Sequence, residues 1–354
     1  MNILFINTSK IWGGNEKWTH MAAHALAEKH KVFLAYRSSS LGRRFFLPKK
    51  RFYFINRFDS LTLYQLVHYI RKKSIDIVVS TNRKYYLLGG MAAGWSGCRH
   101  FVRCGIVWSV PDSLYYRYLF TRLIHGVIVN ASPVRDELLK SGFISQERVH
   151  LIYNGLDLDM LEQGQRETHE KPFPFTLVSS GELVPRKGYR LLIESFAHFL
   201  KSTGITDAGL VIIGKGRQEA ELKALAKNLW VKDRVIFTGW LDNPYPLLSK
   251  ADLFVALSRN EGISNALLEA MYLKVPVIST AVGGVGDVIR SGYNGILVKH
   301  EDCISLAELY SQFYEQDPSE LSRMTSAARK SVVKNFSLQE MVKSLEGKFR
   351  QILR

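Results

Sequence analysis

Two glutamates, Glu261 and Glu269, stand eight residues apart in the stretch SRNEGISNALLE (258–269). An apolar, strand-like run ends at Leu257, a Glu261-Gly262 turn follows, and helical character begins near Ser264. If the whole stretch were helical, a rise of 1.5 Å per residue would put the carboxylates roughly 12 Å apart. Carboxylates so spaced can accept hydrogen bonds from hydroxyls on either side of a diphosphate. The free N–H groups and positive dipole end of the helix would meet the phosphates themselves. The plain alternative is a strand–loop–helix unit with two solvated glutamates. A second cluster, GELVPRKGYR (181–190), places Arg186 and Lys187 just before a helix. Cations there oppose the helix dipole, which favours an anionic ligand over mere solvated charge. Arginine forks and lysine point charges both suit phosphoryl oxygens. Gly13-Gly14, after the first strand, allows close backbone approach to a ligand or is an ordinary loop, and VGGVGD (282–287), after the strand-like VPVIST, permits another close approach below the strand ends.

The elements that must position these residues follow one pattern. ILFI (3–6), VFLAY (32–36), DIVVS (76–80), HFVRC (100–104) and GVIVN (126–130) read as short buried strands, with helical spacing at 15–29 and 60–73. The pattern restarts with strands FTLVSSGE (175–182), GLVIIG (209–214), RVIFTG (234–239), DLFVAL (252–257) and VPVIST (275–280). Helices are predicted at 187–201, 217–229, 262–273 and 303–315. Alternation of this kind indicates parallel, doubly wound α/β sheets, whose ligands sit at the carboxyl ends of the strands. The expected division is a first domain at 1–157, a second at 158–336, and a closing amphipathic helix at 337–354, N-capped by Ser337 and crossing back to the first domain. IYNGLDLDMLEQGQRETHEKPFP (152–174) reads as a polar linker. The Asp157-Leu158-Asp159 triplet inside it reads as a turn and helix start rather than a metal site, and no metal or cofactor is expected.

The 354 residues carry 46% hydrophobic content, enough for two cores, and a formal net charge of +16. The charge is uneven. Residues 1–160 hold 23 Lys and Arg against 10 Asp and Glu, and the remainder 25 against 22. The basic first half implies an anionic partner, whether lipid surface, phosphorylated glycan or nucleic acid, unless it reflects only a soluble surface. LGRRFFLPKKRFYF (41–54) interleaves basic and aromatic residues. It reads either as a membrane contact with Phe45 and Phe46 entering the interface, or as core phenylalanines within a solvated charged loop. Cys98, Cys104 and Cys303 form no C-x-x-C pair, which suggests neither disulfides nor zinc and fits a reduced compartment. No run of about 20 apolar residues appears, and MNILFINTSK reads as a first strand rather than a signal peptide.

From 176 to 299 the chain resembles the retaining glycosyltransferases of family 4, a family of the GT-B fold. The resemblance rests on GELVPRKGYRLLIESF, IIGKGRQEAELKALA, RVIFTGWLDN, YPLLSKADLFVALSRNEGISNALLEAMYLKVPVIST and AVGGVGDVIRSGYNGILV. IYNGLD (152–157) is similar to the family's interdomain passage. In the first half, IWGGNEKW (11–18) and FVRCGI (101–106) resemble bacterial lipopolysaccharide and surface-glycan enzymes.

The resemblance implies two Rossmann-like domains facing a central cleft, the first taking an acceptor and the second a nucleotide sugar. It implies that Glu261 holds hydroxyls of the transferred sugar, that Glu269 accepts from ribose hydroxyls, and that Lys187, helped by Arg186, stabilises the departing diphosphate. Gly13 and Gly14 would close on the donor. Gly262, Ile263, Ser264 and Asn265 would meet sugar and phosphate, and Arg217 and Leu241 would lie near the base. Many relatives carry Arg after the glycine of the first C-domain strand; this chain has Glu182, leaving Arg186 to share that role. Glu16, His100, Arg103 and Asp112 are the acceptor-side candidates; no acceptor base is assigned among them, and Glu16, His100 and Asp112 read alternatively as structural residues. The implied reaction is sugar transfer with retention, from a UDP-sugar first and GDP- or ADP-sugars next, to a lipopolysaccharide or other lipid-linked acceptor. The expected location is the cytoplasmic face of an anionic membrane, attached peripherally. Rival readings are a nucleotide-sugar epimerase or sugar phosphorylase of the same fold, and a basic nucleic-acid-binding protein. The last finds no RNP, KH, zinc-finger or basic-helix motif, so no nucleic-acid partner is expected.

Overall fold

A computed structural model describes residues 1–354 except Ile11, Thr168, His300, Glu301 and Asp302. The chain forms two compact units, Met1–Gly155 with Ser337–Arg354, and Leu156–Phe336.

The first unit is built on a parallel sheet of seven strands: β1 (Asn2–Asn7), β2 (Lys31–Tyr36), β3 (Lys49–Arg51), β4 (Ile77–Ser80), β5 (Arg99–Cys104), β6 (Gly126–Val129) and β7 (Val149–Leu151). Their spatial order is β3-β2-β1-β4-β5-β6-β7. Central strands are apolar on both faces, as a sheet covered on both sides requires. Ile3, Phe5, Ile77, Val79 and Phe101 face one layer, where helix Gly14–Ala27 and the closing helix Leu338–Leu353 pack. Phe101 and Phe349 meet edge to face at 4.8 Å. Leu4, Ile6 and Val78 face the other layer, with Leu63, Leu66 and Ile70 of helix Ser60–Lys72 and Leu88, Ala92 and Ala93 of helix Tyr86–Ser96.

The second unit repeats the plan with six strands: β8 (Phe175–Ser180), β9 (Ala208–Ile213), β10 (Val235–Gly239), β11 (Leu253–Ala256), β12 (Val277–Thr280) and β13 (Ile296–Val298). Their order is β10-β9-β8-β11-β12-β13, again all parallel. Helix Tyr189–Thr203 lays Leu192, Ile193, Phe196 and Phe199 on this sheet, against Tyr310 and Phe313 of helix Cys303–Glu315. Both orders reverse direction once, between β1 and β4 and between β8 and β11. That switch point is where a doubly wound sheet opens a crevice at its carboxyl edge.

Three strands escape the sequence pattern. All three residues of β3, Lys-Lys-Arg, are exposed on a sheet edge, where charged side chains discourage further pairing. β7 and β13 are only three residues long. The expected linker 152–174 contains a helix, Leu158–Gly164, whose N-cap Asp157 accepts the Met160 N–H at 3.0 Å. The segment 41–54 divides between its two expected readings. Phe45, Phe52 and Phe54 are core residues, so Phe45 does not reach a membrane interface, whereas Phe46 is 86% exposed. No described helix is long and apolar enough to cross a membrane.

Candidate active site

The second switch point assembles the cluster that the sequence singled out. After β8, Gly181–Val184 lead into a tight turn, Pro185–Lys187, and Gly188 then starts helix Tyr189–Thr203. Gly188 has φ 74°, and a Cβ on it would lie 2.0 Å from the Leu257 carbonyl oxygen. The Lys187 turn is thus laid directly over the end of β11, and the Arg259 N–H donates to the Arg186 carbonyl at 2.7 Å. Lys187 Nζ reaches Glu261 Oε1 at 2.5 Å, with both side chains mostly shielded. The Ser258 hydroxyl donates to the other carboxylate oxygen at 2.8 Å.

The glycine loop after β12 supports this pair from behind. Gly283 has φ 53°, and a Cβ there would fall 1.5 Å from the Glu261 carbonyl oxygen. The Gly284 N–H donates to the Gly262 carbonyl at 2.9 Å, and Thr280 Oγ1 to the Ser258 carbonyl at 2.6 Å. The close approach foreseen for VGGVGD is therefore made to the neighbouring loop. Beneath the pair lies Tyr189, buried, whose phenol is pushed up first by burial and next by the negative charge of Glu261. Tyr189 and Ser258 were not singled out from sequence, because a tyrosine and a serine in apolar or polar runs carry no distinguishing spacing.

Helix Asn265–Tyr272 begins beside Glu261. Its N-cap, Ser264, makes no side-chain cap bond, which suits amides that must face a ligand. Gly262, Ile263 and Ser264 are buried, and the Asn265 side-chain oxygen is buried without a hydrogen-bond partner among the described residues. Glu269 is buried on the same helix, and its charge contributes, after burial, to raising the Tyr245 phenol. Arg186 is exposed and lies 3.9 Å from Glu182, the residue that departs from the family pattern. Arg217 is exposed, Leu241 half-buried, and Trp240, hydrogen-bonded to Asp242 at 3.0 Å, is exposed between them in sequence. A diphosphate in this place would meet Lys187, a bare helix end and, at slightly greater reach, Arg186.

The first switch point holds a different, more deeply buried network, in which Arg103 Nε has no hydrogen-bond partner among the described residues. Gly13 and Gly14 are exposed at the start of helix Gly14–Ala27. Glu16, 4% exposed, accepts from the Ser9 hydroxyl and from Asn15 Nδ2 at 3.2 Å. Arg103, at the end of β5, is buried. It donates to Asn15 Oδ1 at 2.9 Å and to Asn154 Oδ1 at 3.2 Å, and its guanidinium lies 4.6 Å from the Trp18 ring centre. Burial lowers its pKa to about 10. Glu16 and Arg103 are therefore brought together, and His100 and Asp112 are not part of the group. His100 is fully buried: Nδ1 donates to the Leu123 carbonyl at 3.1 Å and Nε2 accepts from the Ser80 hydroxyl at 2.9 Å. Burial chiefly lowers its pKa to about 3. With both nitrogens engaged and no exposure, it is a sheet-packing residue rather than an acceptor-facing base. Asp112 is exposed and paired with Arg117 at 2.6 and 2.8 Å, hydrogen bonds that hold its carboxyl low.

Comparison with known proteins matches two family patterns in tandem. Glycosyltransferase Family 4 covers residues 12–160 and Glycosyl transferases group 1 covers residues 162–331. A lipopolysaccharide core biosynthesis glycosyltransferase, LpsE of Rhizobium meliloti, is 33% identical over 161 residues, 46% of this chain and 45% of the relative. The UDP-Gal:alpha-D-GlcNAc-diphosphoundecaprenol alpha-1,3-galactosyltransferase of Escherichia coli is 24% identical, over 81% of this chain and 78% of the relative. The chain spans under half the length of the first two curated relatives it matches. Among solved structures, Anabaena Alr3699/HepE in complex with UDP superposes with a TM-score of 0.85 at 18% identity, covering 99% of this chain and all of that one. Likeness at that identity speaks for the two-sheet GT-B fold.

Proposed function

The chain belongs to glycosyltransferase family 4, and from that premise we propose that it transfers a hexosyl group from a nucleoside-diphosphate sugar to an acceptor hydroxyl, with retention of anomeric configuration. The observation that carries the reading is the Lys187–Glu261 pair, 2.5 Å apart over the switch point of the second sheet and beside an uncapped helix end. A diphosphate drawn to that helix end would compete with Glu261 for Lys187. Lys187, with Arg186, would then meet the charge that grows on the leaving diphosphate, so that stabilisation is strongest in the transition state. Glu261, released from the lysine but still held by Ser258, would accept from hydroxyls of the sugar. Glu269 would accept from the ribose. Gly262, Ile263, Ser264 and Asn265 would line sugar and phosphate, with Arg217 and Leu241 toward the base.

UDP-sugar is the donor proposed first, supported by the UDP-bound likeness and by the UDP-Gal relative. A lipid-linked or surface-glycan acceptor is proposed for the first unit, supported by the two named relatives and by the basic charge of residues 1–160. Glu16 and Arg103 are its proposed polar anchors. An acceptor of that kind implies work at the cytoplasmic face of a membrane. The test is a thermal-shift panel of UDP-, GDP- and ADP-sugars. A true donor at about 100 times its dissociation constant adds about 2.7 kcal/mol of stability. No stabilisation by any of them, in a chain that still unfolds cooperatively, would count against the reading.

A further inference from the structure

The first unit carries a concentration of cations that the donor chemistry does not use. A cavity of about 680 Å³ opens at the carboxyl edge of β2 and β3, lined by Lys10, Arg37, Arg51, Tyr53, Ile55 and the serines 38–40, with no acidic residue among the described residues on its wall. Its volume is in the range of small-molecule sites. A smaller one, of about 310 Å³, shares Lys10 and Arg37 and adds Thr8, Ser9 and Lys84. Among the described residues, none of these four cations has a carboxylate partner, although like charges gathered without counter-charge repel one another. The two arginines are held in place by neutral groups: Arg37 donates to the Tyr85 hydroxyl at 3.3 Å, and Arg51 Nε donates to the Arg37 carbonyl at 3.1 Å. Both keep further N–H groups for an anion.

Two further observations point the same way. Thr8 is 3% exposed, and its hydroxyl is buried without a hydrogen-bond partner among the described residues, on the wall of the smaller cavity. Ser9, on the same wall, donates to Glu16. A run of cations and hydroxyls thus leads from the open cavity to the polar network of the first switch point. On its other side the cavity borders apolar surface. Tyr53 and Ile55 are 71% and 65% exposed. The Ile55 N–H is tied at 3.0 Å to Asp59, the N-cap of helix Ser60–Lys72. That helix's first turns expose Leu61 and Tyr64, three residues apart on one face.

We propose that this cavity binds the phosphate or diphosphate group of the acceptor, an amphiphile whose apolar chain lies along Tyr53, Ile55, Leu61 and Tyr64. This deepens the glycosyl-transfer reading and rests on it. Arginine and lysine hold the phosphoryl oxygens through charge-assisted bonds, the serines supply neutral donors, Thr8 offers one more in the adjoining smaller cavity, and the bound phosphate fixes how far the acceptor hydroxyl extends toward Glu16.

The experiment is calorimetry on the full chain in nonionic detergent, with geranylgeranyl diphosphate, geranylgeraniol and inorganic pyrophosphate as probes, and UDP, GDP and ADP titrated separately. The diphosphate lipid binds at least about tenfold more tightly than the alcohol, and high salt weakens it. Arg37→Gln with Arg51→Gln lowers its affinity by about tenfold for each cation removed, and leaves UDP affinity unchanged. Lys10→Gln, which alters neither arginine's support, lowers it in the same direction and guards against a folding defect in the double variant. Equal affinity for diphosphate lipid and alcohol overturns the inference, as does full retention of diphosphate binding in these variants. Vesicles of phosphatidylcholine with and without phosphatidylglycerol separate the sources. If the variants lose only phosphatidylglycerol binding, the cavity reads bulk headgroups and the acceptor assignment falls. Failure of the wild type to bind any of UDP, GDP and ADP would instead remove the underlying glycosyl-transfer reading.

Discussion

The two sheets have the same kind of switch point and fill it in opposite ways. In the second, Lys187 and Glu261 come from loops after different strands and meet at 2.5 Å, with 11% and 17% of their side chains still accessible. In the first, Glu16 and Arg103 are 4% and 7% exposed and linked through Asn15, with Ser9 bonded to Glu16 and Asn154 to Arg103. An ion pair that can be opened by a competing anion suits a site for a charged ligand. The buried network leaves Arg103 Nε without a hydrogen-bond partner among the described residues, and beyond it Lys10, Arg37, Arg51 and Lys84 have no carboxylate partner among the described residues. One fold plan thus carries a partly accessible ion pair in one unit and a more deeply buried polar network in the other.

The largest expected break in this contrast is Lys187→Ala. Loss of the cation at the leaving group should lower kcat by about 10²–10³-fold with a smaller change in KM. An unaltered kcat with a raised KM would reduce Lys187 to ground-state binding. Next in size is a pair of glycine substitutions. Gly283→Ala forces a Cβ to 1.5 Å from the Glu261 carbonyl, at φ 53°, and should cost about 3 kcal/mol or displace the Glu261 loop. Gly14→Ala meets nothing within 4 Å and should stay within about 0.5 kcal/mol of wild type. Chemical denaturation compares them, and equal losses would show that both loops are equally constrained.

Acidification should act on the first unit. His100 is held neutral to about pH 3, and His20 and His150 to about pH 4, mainly by burial. Below pH 6.5 the unfolded chain takes up protons that the folded chain refuses. Stability is therefore present above that pH and is lost as pH falls toward these values, with His100 alone contributing a slope of up to about 1.4 kcal/mol per pH unit. Hydrogen exchange of β4 and β5 amides, corrected for intrinsic rates and referenced to β8 and β11, would report it. Protection that stays flat from pH 7 to 5 would contradict the assigned burial. The smallest expected effect is that of a chelator. Because Lys187, Arg186 and a helix end are proposed to meet the diphosphate charge, turnover should persist in excess EDTA. Recovery of most activity only on adding Mg²⁺ would refute this.

Much of this was legible in the sequence because it is local. Runs such as ILFI and GLVIIG are strands by their apolar character alone, and the SRNEGISNALLE segment states its own strand, turn and helix. The family resemblance supplied the roles proposed for Glu261, Glu269 and Lys187. What stayed hidden depends on distant partners. Nothing in KKR (49–51) marks an edge strand until β2 lies beside it. Helix Tyr86–Ser96 is apolar around its circumference and rich in glycine, so it lacks the amphipathic period that reveals a helix. Phe45 and Phe46 are neighbours of the same type, and only packing against Trp12 and His20 decides which is core. The sequence leaves His100 open between a base and a structural residue because it does not show Ser80 and the Leu123 carbonyl occupying its nitrogens.

The central claim is that the donor site is built at the second switch point, with Glu261 serving the sugar and Glu269 the nucleotide. Calorimetric titration of UDP into wild type, Glu261→Ala and Glu269→Ala tests it most directly. Glu269→Ala should weaken UDP by about tenfold or more, as loss of a hydrogen-bonded charge predicts. Glu261→Ala should bind UDP nearly as wild type does while losing sugar transfer. Equal weakening in both variants, or none in either, would contradict the assignment.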